Sequence, residues 1–206
     1  MLVWLNGAFG AGKTHTAFEL ARRLEGAHVS DPELIGYGVH RMLPPAARHD
    51  FQDRPQWRSA VLATLLDVAW EHDGPVLVPM TLVRPAYVAE VLGGLRDGGV
   101  DLRHVVLEAS PETLRHRLRS RSGHVLAALG RREYWAIGRI DGCVAALADP
   151  DLDGGAAIRV PTDGRGLDEV VEAVAAAVGL PLVTDRLGRP RALARRLQVG
   201  IRHLRP

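Results

Sequence analysis

Eight residues near the start of the chain, Gly7-Ala8-Phe9-Gly10-Ala11-Gly12-Lys13-Thr14, constrain its fold more than any other stretch. They match the spacing G-x-x-x-x-G-K-[ST] in full. An apolar run at residues 2–6 reads as a buried strand before them, and helical periodicity runs from residue 13 to about 24 after them. Small residues between a strand and a helix let the backbone wrap one anion, so that successive N–H groups and the helix N-terminus face it. Lys13 then sets an ammonium against the β- and γ-phosphates of a nucleotide, and the Thr14 hydroxyl ligates Mg²⁺. Of 26 basic residues, Lys13 is the only lysine. The flat, wide arginine fork would not enter a tight phosphate cradle in the same way. Residues Gly7, Ala8, Phe9, Gly10, Ala11, Gly12, Lys13 and Thr14 are therefore expected to bind ATP or GTP.

A phosphate loop of this kind belongs to an α/β fold, and the rest of the chain reads accordingly. Apolar strand-like runs at 2–6, 27–30, 75–79, 102–108 and 156–160 alternate with helical stretches at 32–43, 57–70, 85–96, 111–121, 131–148 and 167–178. Alternation on this scale implies a five-stranded parallel sheet with helices on both faces, which with the loop makes a P-loop NTPase fold. At 206 residues one domain is expected over 1–180, with a short lid at about 117–132 and a tail over 181–206. Ligands in such sheets sit at the carboxyl ends of the strands, which directs attention to 31–33, 79–84, 109–111 and 161–166.

Each of those loops carries polar residues with two readings. Asp31, with Pro32 and Glu33 behind it, stands where a carboxylate could take a proton from an attacking hydroxyl or hold Mg²⁺ through water. It could equally cap the helix that Pro32 begins. Glu33 is a candidate contact to substrate or metal. Arg117 and Arg121 lie four apart on one helix face and could stabilise charge on a transferring phosphoryl group, or form a solvated basic face. Thr162, after the fifth strand, lines the base pocket or a plain turn. The third strand ends in Pro79-Met80-Thr81 without the acid that motor ATPases and switch GTPases carry there, and no N-K-x-D pattern for guanine occurs. Those absences favour a small-metabolite kinase.

Charge and cysteine usage narrow the setting. The formal charge is +2, but residues 186–206 hold seven arginines and no acid, leaving 19 basic against 24 acidic residues in the body. A mildly acidic body argues against nucleic acid as partner. The single cysteine, Cys143, reads as a small buried hydrophobe. Neither an export signal nor an apolar run of about 18 residues is evident, so a cytoplasmic protein is expected. In the tail, Leu193, Leu197, Ile201 and Leu204 share a narrow helix face, with Arg191, Arg195, Arg202 and Arg205 largely opposite. That segment could lie peripherally on an anionic membrane, or pack its leucines on the domain.

Taken together, the chain resembles the bacterial tunicamycin resistance proteins. The likeness rests on W-L-N-G-A-F-G-A-G-K-T-H-T-A-F-E-L (4–20), D-P-E-x-x-G (31–36), D-F-Q-x-x-P-x-W-R (50–58), V-P-M-T (78–81), E-T-L-x-x-R-L-R (112–119), I-D-x-C-V (140–144) and a basic tail after L-P-L (180–182). More distantly it is similar to chloramphenicol phosphotransferases and to shikimate and adenylate kinases, which use a second-strand aspartate and lid arginines as assigned to Asp31, Arg117 and Arg121. The resemblance implies ATP and Mg²⁺ as cofactors and resistance to a nucleoside-type antibiotic, by phosphorylation of a hydroxyl or by sequestration without chemistry. It makes Asp50, Gln52, Trp57, Arg58 and Thr81 candidate drug contacts, with Trp57 stacking on a ring unless it belongs to the core.

Overall fold

A computed structural model describes residues 1–122 and 136–202. Its centre is β1 (Leu2–Gly7), whose Leu2, Val3, Trp4 and Leu5 are wholly buried. A strand apolar on both faces must be covered on both, and that forces it into the middle of the sheet. Parallel neighbours flank it, β3 (Val76–Pro79) on one side and β4 (Leu102–Glu108) on the other. The short β2 (His28–Val29) and β5 (Ile158–Pro161) form the edges, giving the order β2-β3-β1-β4-β5 with every pair parallel. Edge strands of two and four residues leave little unpaired backbone for another chain to join.

Helices complete the fold on both faces. α1 (Lys13–Arg23) follows β1, and α2 (Glu33–Met42) and α3 (Pro55–Glu71) follow β2. α4 (Pro85–Val88) runs through a π-helical turn at Ala89–Gly93 into α5 (Gly94–Asp97). α6 (Pro111–Ser122) follows β4, and α7 (Ile140–Ala148) leads into β5. α8 (Leu167–Val178) and the tail helix α9 (Arg189–Arg202) both pack against α1. The expected strands and helices are present with shifts of a few residues. The helix expected over 131–148 is described from 136 onward, and the lid expected at about 117–132 lies largely outside the described residues.

The tail departs from the sequence expectation. α9 does pack on the domain, but not through Leu193 or Leu197. Val199 is the buried residue, Arg195 donates to the Phe18 carbonyl (3.2 Å), and Leu193 and Leu197 stay 61% and 58% exposed. Upstream, the Val183 N–H donates to the Arg23 carbonyl (2.8 Å), and Arg186 pairs with Glu172 on α8. Among the described side chains, Arg195 and Val199 supply the contact, and Glu19 on α1 offers Arg195 an anionic partner at 3.5 Å.

Candidate nucleotide and acceptor site

The loop between β1 and α1 has the backbone a phosphate cradle needs. Gly12 caps α1 with φ 97°, and Gly10 has φ 86° with its α-carbon against α6. A Cβ at Gly10 would lie 3.2 Å from both the Leu114 carbonyl and Leu118 Cγ. Both positions need glycine, because other residues rarely adopt those angles. Lys13 Nζ donates to the carbonyls of Gly7 (2.9 Å) and Ala8 (3.2 Å), so its ammonium lies over the first turn of the loop. Gly7 is held at both ends: its N–H donates to Asn6 Oδ1 (2.8 Å), and its carbonyl also accepts from the Thr81 hydroxyl (2.8 Å).

That last bond corrects the expectation for Thr81. It is 6% exposed and its hydroxyl braces the phosphate loop, so it is not a surface for an acceptor. Trp57 is corrected as well. It is fully buried, its indole N–H donates to the Pro32 carbonyl (3.2 Å), and its ring meets Phe51 at 5.2 Å. No face remains on which a ligand could stack. Arg58 is likewise engaged inside the protein, with Nε on Glu90 (2.5 Å), Nη1 on the Gln52 carbonyl (2.6 Å) and its guanidinium 4.2 Å above the Tyr87 ring. It joins α3 to the π-helical turn and is not presented to an anion.

These buried contacts explain the motif around them. A Cβ on Gly36 would fall 2.7 Å from the Phe51 ring, so glycine lets α2 close on Phe51 and Trp57. Trp57 in turn grips Pro32, next to Asp31. The cluster thereby sets the carboxyl end of β2. Asp31 Oδ1 accepts from the Glu33 N–H (2.9 Å), bracing the first turn of α2 from the residue ahead of its N-cap Pro32, and the half-buried carboxylate stays at the strand end. Glu33 accepts from the Tyr37 hydroxyl (2.6 Å). Asp50 accepts from the Gln52 N–H and from Arg139 Nη1 (3.2 Å), tying the α2–α3 loop to the chain that returns into α7. Gln52 takes part through its backbone.

On the other side of the loop, Arg117 reaches from α6 to the end of β5, donating to the Thr162 hydroxyl (3.1 Å) and carbonyl (2.7 Å). Thr162 is fully buried, so it anchors Arg117 and its side chain does not line a base pocket. Asp163 beside it is exposed and receives the Ser110 N–H at 2.9 Å. Burial works against its charge, but hydrogen bonds from Thr113 and Ser110 outweigh that and hold its carboxyl below the usual range. Arg121 sits in the last turn of α6, and its side chain lies outside the described residues. A half-open cleft of about 280 Å³ borders this region, walled by Ala8, Leu107, Val144, Leu147 and Pro161. Cys143 is buried as expected. Burial pushes its thiol up, with Lys13 and Arg139 opposing.

Among the described residues no group of three His, Cys, Asp or Glu side chains forms a metal cage. Mg²⁺ does not require one, since it is commonly bound through one or two protein oxygens, phosphates and water. Thr14 in the first turn of α1 and Asp31 at the end of β2 carry oxygens of the chemical type such an ion uses.

The parallel sheet, its strand order and the glycine-lysine loop at the centre together define a P-loop protein of kinase-like fold. The chain belongs to the AAA domain family, whose model matches residues 2–132, and to the tunicamycin resistance proteins. With the tunicamycin resistance protein of Deinococcus radiodurans it shares 30% identity over 89% of this chain and 99% of that one, at a TM-score of 0.70. A gluconokinase from Sinorhizobium meliloti 1021 has the same fold at 19% identity and TM-score 0.59, over 86% and 90% of the two chains. So does an APS kinase from Mycobacterium tuberculosis, solved with AMPPNP and APS, at 22% identity and TM-score 0.55, over 86% and 96%. Among curated proteins none matches the chain in sequence.

Sequence reasoning missed the residues that hold the loop from behind: Asn6, His104 and Asp153. A signal was available for Asn6, the polar residue that ends the apolar run 2–6, but His104 follows Arg103 at the polar start of its strand and is not marked out in the same way.

Proposed function

We propose that this protein transfers the γ-phosphoryl group of ATP to a hydroxyl of a nucleoside-type small molecule of the tunicamycin class. The observation that carries the reading is the complete phosphate loop, with the Lys13 ammonium over its first turn and the Asp31 carboxylate at the end of β2. Membership in the tunicamycin resistance family supplies the acceptor class. The loop N–H groups and Lys13 would hold the β- and γ-phosphates, and Thr14, with Asp31 through water, would hold Mg²⁺. That ion would neutralise the phosphate charge. Asp31 orients the acceptor hydroxyl and takes its proton as the oxygen bonds to the γ-phosphorus. The bond from that phosphorus to the bridging oxygen breaks, and ADP leaves. Arg117, anchored on Thr162, and Arg121 stabilise the nucleotide from the β5 side. Glu33, Asp50 and Gln52 remain acceptor contacts in this reading.

Incubation with Mg-ATP and tunicamycin, followed by mass spectrometry, should show the drug gaining one phosphoryl group and ADP appearing in equal amount. Asp31→Asn should lower that transfer by roughly 10²–10⁴ with nucleotide affinity nearly unchanged. Bound drug and nucleotide without product would replace phosphorylation by sequestration.

We further propose that α9 rests on anionic membrane surfaces. Among the described residues no helix is long and apolar enough to cross a membrane. Supporting surface contact are Leu193 and Leu197, exposed in a segment with seven arginines and no acid. The protein should sediment with anionic vesicles at low salt and release as salt rises. Leu193→Glu with Leu197→Glu should abolish sedimentation, and binding that ignores both salt and these changes would refute the proposal.

A further inference from the structure

Behind the phosphate loop a chain of buried polar side chains crosses the molecule. The Asn6 amide uses its full bonding capacity. Its Oδ1 accepts from the N–H groups of Gly7 (2.8 Å) and Leu82 (3.0 Å), and its Nδ2 donates to the Leu82 carbonyl (2.8 Å) and to His104 Nε2 (3.1 Å). Two backbone donors fix the amide oxygen, so the amide cannot turn over without leaving both unpaired. Nε2 must therefore accept, which puts the ring proton on Nδ1. There it donates to Asp153 Oδ2 at 2.7 Å. Asp153 is in turn gripped by both terminal nitrogens of Arg96 (2.7 and 2.8 Å). The side chains of His104 and Asp153 are 0% and 4% exposed. Neither His104 nor Asp153 can reach a substrate.

We propose that His104, set in its Nδ1–H tautomer by Asp153, is a positioning residue for the phosphate loop, acting through the Asn6 amide on the N–H of Gly7. An imidazole nitrogen with a bare lone pair is the one group here that pins the free hydrogen of that amide. Without it one Nδ2 hydrogen is left buried and unpaired, and the amide, still held by Gly7 and Leu82, passes any shift that repairs this loss to the N–H at the entrance of the loop. A buried polar group left unpaired is costly, so the strand and loop would shift to repair it. Arg96 and the turn bearing Asp153 thereby help to shape a cradle they do not touch. The proposal rests on the reading of residues 7–14 as the nucleotide site.

Two substitutions separate positioning from bulk. His104→Gln places an amide oxygen near the Nε2 position and can still accept from Asn6. His104→Asn places an amide nitrogen near Nδ1, keeps Asp153 satisfied and leaves Asn6 without its acceptor. At a temperature where both are folded, titration with Mg-AMPPNP should give His104→Gln within about twofold of wild type and His104→Asn about tenfold weaker. The Gly7 amide signal in ¹⁵N-glycine-labelled protein should move in His104→Asn and stay in His104→Gln. Equal losses in both variants, tracking their thermal midpoints, would reduce His104 to a packing residue and overturn the proposal. A wild type that binds no nucleotide would instead defeat the reading of the loop, and the Gly7 signal would still decide the positioning. No variant is needed for a last check: the ring ¹⁵N signals of His104 at neutral pH should show Nδ1 protonated and Nε2 bare. The opposite tautomer refutes the proposal.

Discussion

Arg58 gives the sharpest contest between a role in binding and a role in folding, because family resemblance makes it a drug contact and its surroundings make it a staple. Arg58→Met keeps most of the stem that packs in the 8%-exposed site but removes the guanidinium. The bond from Nε to Glu90 is charge-assisted, but Glu90 is 38% exposed and rehydrates, so its loss costs about 1–1.5 kcal/mol. The Gln52 carbonyl loses a donor at 2.6 Å, about 1 kcal/mol, and the Tyr87 face loses its cation, about 0.5–1 kcal/mol. Together these amount to about 3 kcal/mol, or a fall of roughly 6–12 °C in thermal midpoint for a domain of this size. Calorimetric unfolding measures it, and a double-mutant cycle with Glu90→Gln should return a coupling of about 1 kcal/mol. Nucleotide affinity should stay within about twofold, since Arg58 touches nothing in the loop. A midpoint within about 2 °C of wild type, with acceptor binding lost, would refute this reasoning and return Arg58 to the drug site.

Lys13→Met should weaken nucleotide binding at least about 100-fold while moving the midpoint only a few degrees, because Nζ serves two loop carbonyls at the surface of the site; calorimetric titration beside a melting curve checks both. Arg117→Met should cost about tenfold in nucleotide affinity, since it frees α6 from Thr162, and the same titration would expose an unchanged value. Glu172 ties the tail to the body. Arg186 foremost, with Arg23, holds its carboxyl down to about 2 from an ordinary 4.5. A depressed value of this kind stabilises the folded form above about pH 4.5, and the benefit is lost as pH falls toward 2. Protection of the Val183 amide, bonded to the Arg23 carbonyl, should therefore fall across that interval after correction for intrinsic exchange. Glu172→Gln should flatten the profile, and an unchanged profile would discount the tie.

The phosphate loop was legible in the sequence because its chemistry is contiguous. Eight neighbouring residues supply the turn, the amides, the ammonium and the hydroxyl, and their φ values of 86° and 97° are what glycine at 10 and 12 announces. Strands β1, β3 and β4 were legible for a related reason: a central parallel strand is apolar on both faces and needs no partner to be recognised. The tertiary structure alone decided what depends on distant pairs. Thr81, Trp57 and Arg58 stand in motifs that invite a ligand, yet they spend their polar atoms on Gly7, Pro32 and Glu90. The tail's periodicity was plain, but the partner that Arg195 meets on α1, Glu19, is far away in sequence. Likewise Asn6 and His104 are 98 positions apart, and no local pattern couples them. Periodicity reports that a face will be buried. Only the packed sheet determines what lies against it, because hydrogen-bond partners are chosen by distance in space after the strands have taken their order.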